Sequence, residues 1–261
     1  MSSLFSLAAT TMSGDNALTQ EELKWMSHLL DECRKKDVMP RNRFELAAYA
    51  IVCKGDTKKA IARLTKVRKV EADIERNSID TATASRIVDL ICPASNLAAG
   101  RDDLGRPMMY TDFAAANPYG FETEYQRDCL LKVTMDFFAC LTSTIKEIRE
   151  GAVMVASGRG MGWKNFSFEL HRRNSAITED GFPIKLKGFI ILNPPMIISA
   201  MIALSRQFVK KKIRDRIVIC SAQDVQSKRV ANISLEQLPP HAGGSYTECK
   251  DTWVARSLAR R

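Results

Sequence analysis

Histidine is scarce in this chain, and cysteine spacing of the metal-binding kind is missing. Three histidines occur, His28, His171 and His241, and none of the seven cysteines forms a Cys-x-x-Cys pair. A structural zinc site gathers four such ligands at short, regular spacings, so none is expected. The cysteines (Cys33, Cys53, Cys92, Cys129, Cys140, Cys220 and Cys249) are scattered and odd in number, as free thiols of a reducing cytosol are. No Gly-x-Ser-x-Gly elbow occurs, and no histidine has an obvious nucleophile beside it. With no catalytic constellation to name, the chain is read as non-enzymatic. "SGRGMGW" lacks the Gly-Lys-Ser/Thr of a nucleoside-triphosphate loop and the full dinucleotide spacing, so it is read as a flexible turn.

A membrane-spanning run is also missing. Crossing about 30 Å of hydrocarbon takes about 20 apolar residues. The greasiest stretch, "GFIILNPPMIISAMIALSRQFV", is broken by Asn193-Pro194-Pro195, and proline neither continues a helix nor sits in a central strand. The stretch therefore divides into a strand over Phe189–Leu192 and a helix over Met196–Val209. At 1.5 Å per residue that helix is roughly 21 Å long, too short to span. The first residues carry no leading positive charge and make a poor secretory signal; residues 1–18 are read as a loose tail.

What is present is an ordinary globular composition, 45% hydrophobic and 26% charged, with an unusual formal charge of +9 over 261 residues. That excess favours an anionic partner. The first ninety residues read as a small helical unit. Thr19 and Glu22 form a capping box ahead of Leu23, Met26, Leu29 and Leu30, a second helix spans about Arg41 to Cys53, and Asp56 caps a third. The turn-rich "CPASNLAAGRDDLGRP" marks a boundary near residue 92. Beyond it "PMMYTDF", "AVMVAS", "KGFIIL" and "RIVICS" read as strands. They alternate with a long helix in "EYQRDCLLKVTMDFFACLTSTIKEIRE" and a further helix ahead of Phe182. Strands alternating with helices give an α/β fold with a largely parallel sheet. Residues 248–261 are read as a basic tail.

The Met196–Val209 helix is apolar on nearly every side. Such a helix is buried all round, or has one face on a core and another on something greasy. From near its end onward, Arg206, Lys210, Lys211, Lys212, Arg214 and Arg216 stand against Asp215. Lys185 and Lys187, two apart, share one face of a strand, and Lys212 and Arg216, four apart, share a helix face. Basic residues beside an apolar helix make a reversible dock on an anionic leaflet. They are not interleaved with aromatics, as stacking on nucleic acid requires, so nucleic acid is not the expected partner.

"RDDLGRPMMY", "GFPIKLKGFIILNPP", "FVKKKIRDRIVICS" and "LEQLPPHAGGS" occur in this order at suitable spacing, and together they resemble the CRAL-TRIO lipid-binding domain. "RNRFELAAYAIVCKGDTKKAIARL" resembles the small helical domain that precedes it. The resemblance implies a helical domain over 19–92 and a CRAL-TRIO domain over 93–247, with a mobile gate helix over a hydrophobic cavity. It also implies an intracellular carrier, cytoplasmic, peripheral at membranes and monomeric, with a hydrophobic small molecule or lipid as its ligand and no cofactor. Tocopherol-binding members carry basic residues at positions matching Lys185, Lys187, Lys212 and Arg216, where they hold phosphoinositide phosphates. The candidate cavity lining is Met154, Phe166, Phe168, Ile177, Phe182 and Phe189, continued by Ile191, Met196, Ile198, Met201 and Ile202. This sequence departs from the family in lacking an acidic residue before Gly162-Trp163 and in a shorter segment from Trp163 to Phe182, so the cargo's identity does not carry over. A phosphoinositide-sensing scaffold without cargo exchange is the alternative function.

Overall fold

Side-chain caps set the helix boundaries of the N-terminal half. The computed structural model describes residues 17–95, 97–196, 198–200, 211–227 and 232–260, the side chains of 212, 213 and 258 excepted. α1 (Gln20–Lys36) opens on the expected capping box: Glu22 N donates to Thr19 Oγ1 at 3.1 Å, and Thr19 N donates to Glu22 Oε2 at 2.8 Å. Asn42, Asp56 and Asp80 cap α2 (Arg43–Cys53), α3 (Thr57–Arg76) and α4 (Thr81–Ile91) by accepting a backbone N–H three residues on. These caps satisfy donors that a helix start otherwise leaves orphaned.

The single long helix expected over 124–150 is two helices, α5 (Glu124–Leu141) and α6 (Ile145–Glu150). Thr142 turns its hydroxyl back to the Phe138 carbonyl, and Thr144 starts a new capping box with Glu147. Both are local side-chain bonds that compete with helix continuation. Ile145 and Ile148 of α6 then pack with Leu29, Tyr49 and Leu64 in one core, while Val67, Ile74 and Val88 share another with Phe137 and Phe138 of α5. The helical unit thus packs continuously onto the rest of the chain.

β1 (Leu97–Arg101), β2 (Pro107–Asp112), β3 (Ala152–Ser157), β4 (Leu186–Leu192) and β5 (Ile217–Cys220) form one sheet in the order β1-β2-β3-β4-β5. β1 runs antiparallel to β2, and every other pairing is parallel, in agreement with the largely parallel α/β reading. β1 lies inside the segment read as a turn-rich boundary; it is short, holds Gly100, and pairs only at the sheet edge. α7 (Phe168–Asp180) precedes β4, α8 (Lys211–Arg214) precedes β5 and α9 (Ala222–Gln226) follows it.

Side chains alternate across the strands. Met108, Tyr110, Val153, Val155, Ile190 and Leu192 face a closed core completed by Val225, Ile233 and Leu238. The segment read as a basic C-terminal tail contains α10 (Lys250–Leu258), whose Trp253 is buried with its ring centroid 5.3 Å from that of Phe137. After β4, residues 198–200 are helical and Ser199 N donates to Pro195 O at 2.9 Å. The rest of the expected gate helix, Met201 and Ile202 included, lies outside the described residues.

Candidate functional site

The second face of the sheet carries the residues of interest. Parallel register places Met109, Met154, Phe189 and Ile217 side by side across four strands, with Thr111, Ala156, Ile191 and Ile219 as the next row. Ile191 is buried, whereas Met154, Phe189, Ile217 and Ile219 are only half-buried. The Phe113 ring meets Phe189 edge-on at 6.3 Å. This is an apolar floor that the described side chains cover only in part. Three of the expected lining residues, Met154, Phe189 and Ile191, are therefore brought together. Phe113, Ile217 and Ile219 join them; the signal for the two isoleucines was the period-2 register of β5 against β4.

Ile177 and Phe182 are buried in the packed core against which Met154 also packs, and the Phe182 ring sits 5.9 Å from Phe138. Ile198 is buried. Phe166, in the loop beyond the C-terminal end of β3, and Phe168, the first residue of α7, meet edge-on at 4.8 Å. That loop is held by Asn165, whose Nδ2 donates to the Ala114 and Ala116 carbonyls at 3.0 and 2.8 Å and whose Oδ1 accepts from Gly162 N. Tyr119 Oη donates to Phe166 O at 3.2 Å. Gly158 abuts Pro194 so closely that a Cβ on it would lie 2.8 Å from Pro194 Cα, which sets this loop beside the start of the expected gate. Around it, large apolar side chains stand in solvent: Met196 is 89% exposed, Phe168 67%, Tyr119 64% and Trp163 59%.

The cationic residues gather at the opposite ends of the strands. Lys187 is exposed near the start of β4, where the register against β3 shifts. Lys185 Nζ lies 3.4 Å from Arg149 O, a long contact for a hydrogen bond. Arg216 donates from Nη1 to Leu186 O, and burial pulls its guanidinium below the usual arginine value, although an arginine so placed stays charged. Phe189 N donates to Arg216 O at 3.0 Å, which ties this residue to β4. The Lys212 side chain lies outside the described residues. Lys211 Nζ pairs with Asp215 at 2.6 Å, and the hydrogen bond from Lys211 holds the Asp215 carboxyl below its usual range. The acidic residue within this basic run is therefore neutralised locally.

Among the described residues no cluster of three or more His, Cys, Asp or Glu is placed to hold a metal ion. No helix among them is long and apolar enough to cross a membrane.

Residues 95–244 match the model of the CRAL/TRIO domain family. Alpha-tocopherol transfer protein-like proteins of Homo sapiens and Pongo abelii are 30% identical to this chain over 113 residues, which cover 42% of it and 32% of each relative. The matched stretch thus spans about a third of those relatives' length. The crystal structure of Sfh5 superposes with a TM-score of 0.54 at 10% identity, over 90% of this chain and 76% of that one; at that identity the likeness is one of fold.

Proposed function

The chain belongs to the CRAL/TRIO domain family, and on that premise we propose that it carries a hydrophobic small molecule or lipid and docks reversibly on anionic, phosphoinositide-containing membranes. The family is one of lipid-binding and transfer proteins. The observation that carries the reading is the apolar floor around Ile191, where Met154, Phe189, Ile217 and Ile219 are only half-buried while a finished core would be closed.

A ligand laid on that floor gains its affinity from burial, about 0.8 kcal/mol per methylene. Membrane lipid solvates the same methylenes nearly as well, so release at a target needs a contact that distinguishes the bound from the open state. Lys185, Lys187, Lys212 and Arg216 are the proposed phosphate-binding set. In support, Lys185, Lys187 and Arg216 converge at the N-terminal ends of β4 and β5, and Lys211 takes up the charge of Asp215. The exposed Trp163, Phe168, Tyr119 and Met196 are proposed to enter the lipid interface, where amphipathic rings are favoured. Phe166, Ile177, Phe182, Ile198, Met201 and Ile202 remain proposed lining residues, Ile177 and Phe182 contributing from the packed wall.

The direct test is organic-solvent extraction of the purified protein followed by mass spectrometry. Stoichiometric lipid supports a carrier. Protein that binds phosphoinositide vesicles but yields no lipid is a targeting scaffold instead.

A further inference from the structure

A pocket lies at the other edge of the sheet, away from the apolar floor. It has a volume of about 230 Å³ and sits between β1, the α5–α6 junction and α10. β1 and β5 are the two edges of the five-stranded sheet. At about 4.8 Å per strand spacing they lie roughly 19 Å apart, so this pocket is separate from the cationic cluster on β4 and β5.

Its chemistry differs from the floor's. Three guanidinium groups line it, Arg101 from β1 and Arg256 and Arg260 from the C-terminal segment, with the hydroxyls of Ser143 and Ser257 and a wall formed by Trp253. The one lining carboxylate, Glu147, is already engaged: it accepts from Ser143 Oγ at 2.9 Å, from Thr144 N at 3.0 Å and from Arg101. Arg256 gives one N–H to Glu248 at 2.8 Å, and Arg101 gives two, to Gly105 O and Glu147. A guanidinium has five N–H donors in a planar fork, so donors remain on both. Ser257 is 4% exposed and lines the pocket.

We propose that this pocket binds the phosphate of a small phosphomonoester. Planar arginine forks suit bidentate recognition of phosphate, and a serine hydroxyl can donate to a phosphate oxygen. The volume is below the 300–1,000 Å³ usual for drug-sized ligands, which suits a compact anion and leaves no room for acyl chains. The ligand would join β1 to α10. The phosphomonoester has two possible sources, a soluble metabolite or the headgroup of a lipid whose chains stay in the bilayer.

The test uses the full chain and three variants: Arg260→Gln, Arg256→Gln/Arg260→Gln, and Lys58→Gln as a charge-loss control at an exposed site remote from the pocket. Glycerol 3-phosphate should give a saturable rise in melting temperature, roughly 3 °C at about ten times its dissociation constant. Chloride at matched ionic strength should not. The rise should persist in Lys58→Gln, shrink in Arg260→Gln and vanish in the double variant. In the second arm, co-flotation with phosphatidylcholine vesicles containing phosphatidic acid is compared across the same variants. A response confined to the soluble ester identifies a metabolite, and one confined to vesicles identifies a headgroup; either upholds the site when the arginine variants lose it. No response in either arm, an equal response to chloride, or a response that survives Arg256→Gln/Arg260→Gln overturns it. Arg260 is exposed, so its single variant remains informative even if the double variant fails to fold.

Discussion

Arg149 of α6 holds Glu22 of α1 with two nitrogens, Nε at 2.8 Å and Nη2 at 2.5 Å from the carboxylate. The Arg149 carbonyl in turn faces Lys185 Nζ, so one residue ties the N-terminal helix to the foot of the cationic cluster. The hydrogen bond from Arg149 holds the Glu22 carboxyl below its usual value, against the opposing effect of burial.

A pH dependence follows from that pair. A carboxyl with a depressed folded-state pKa contributes stability that is fully present above its unfolded value, about 4.3. The contribution is lost as pH falls through the lower folded value. Urea midpoints measured from pH 7 to pH 3 should therefore fall below about pH 4.5. In Arg149→Met the fall attributable to Glu22 should shrink, and stability at pH 7 should drop by about 1–3 kcal/mol, because the buried carboxylate keeps only its capping partners. An unchanged acid limb in the variant would remove Glu22 from the account.

Gly151 supports the same corner from the backbone. Its φ of 84° and ψ of −170° lie in a region that side chains avoid. A Cβ there would stand 2.2 Å from Lys185 O, the atom that accepts from Ala152 N at 3.0 Å. Gly151→Ala should cost about 1–3 kcal/mol in denaturant unfolding and should weaken vesicle binding by displacing Lys185. A variant of native stability would mean that the turn relaxes freely.

Much of this architecture was legible beforehand, for reasons that differ by element. Thr19-Glu22 and Asp56 are local caps, and "AVMVAS" is an apolar run bounded by glycines, so sequence proximity alone fixes them. The break at Thr142 was not legible: the apolar spacing continues through it, and only competing hydroxyl bonds to Phe138 O and Glu147 N end the helix. β1 and α10 stayed hidden because their partners are distant in sequence, β2 for one and Phe137 for the other. The candidate site was half-legible. Period 2 placed Lys185 and Lys187 on one face and the resemblance put Phe189 and Ile191 in the lining, but nothing in one strand says which neighbours flank it. Phe113 and the β5 isoleucines therefore emerged only from the register.

Charge at the N-terminal ends of β4 and β5 should act on docking and leave cargo untouched. Lys187 is exposed, and replacing it perturbs little of the fold, whereas Lys185 and Arg216 also face backbone carbonyls. Lys187→Gln/Lys212→Gln is the cleaner first variant. Each basic residue near an anionic leaflet contributes about 1 kcal/mol, so the pair should weaken binding to phosphoinositide vesicles about thirtyfold. Transfer to those vesicles should slow, and co-purified lipid should stay constant. Transfer at the parent rate would refute the docking role of this cluster.

The apolar floor can be separated from ordinary core by a contrast between stability and loading. Phe189 and Ile219 are half-buried, so their apolar faces gain less from folding than a closed core would give them. If cargo completes their burial, Phe189→Ser and Ile219→Ser should each remove interactions of the order of 1–2 kcal/mol from the loaded form. Lipid recovered per mole of protein should fall about tenfold in each variant when ligand is limiting. The melting temperature of delipidated protein should change far less than that of loaded protein, because the lost contacts are with ligand. For a buried residue of the opposite face, Ile190→Ser, the order reverses: stability collapses in both forms, since Ile190 packs against Val153 and Val225 in a closed core. Equal losses in loaded and delipidated protein for Phe189→Ser would make this face plain core and remove the floor on which the carrier reading stands.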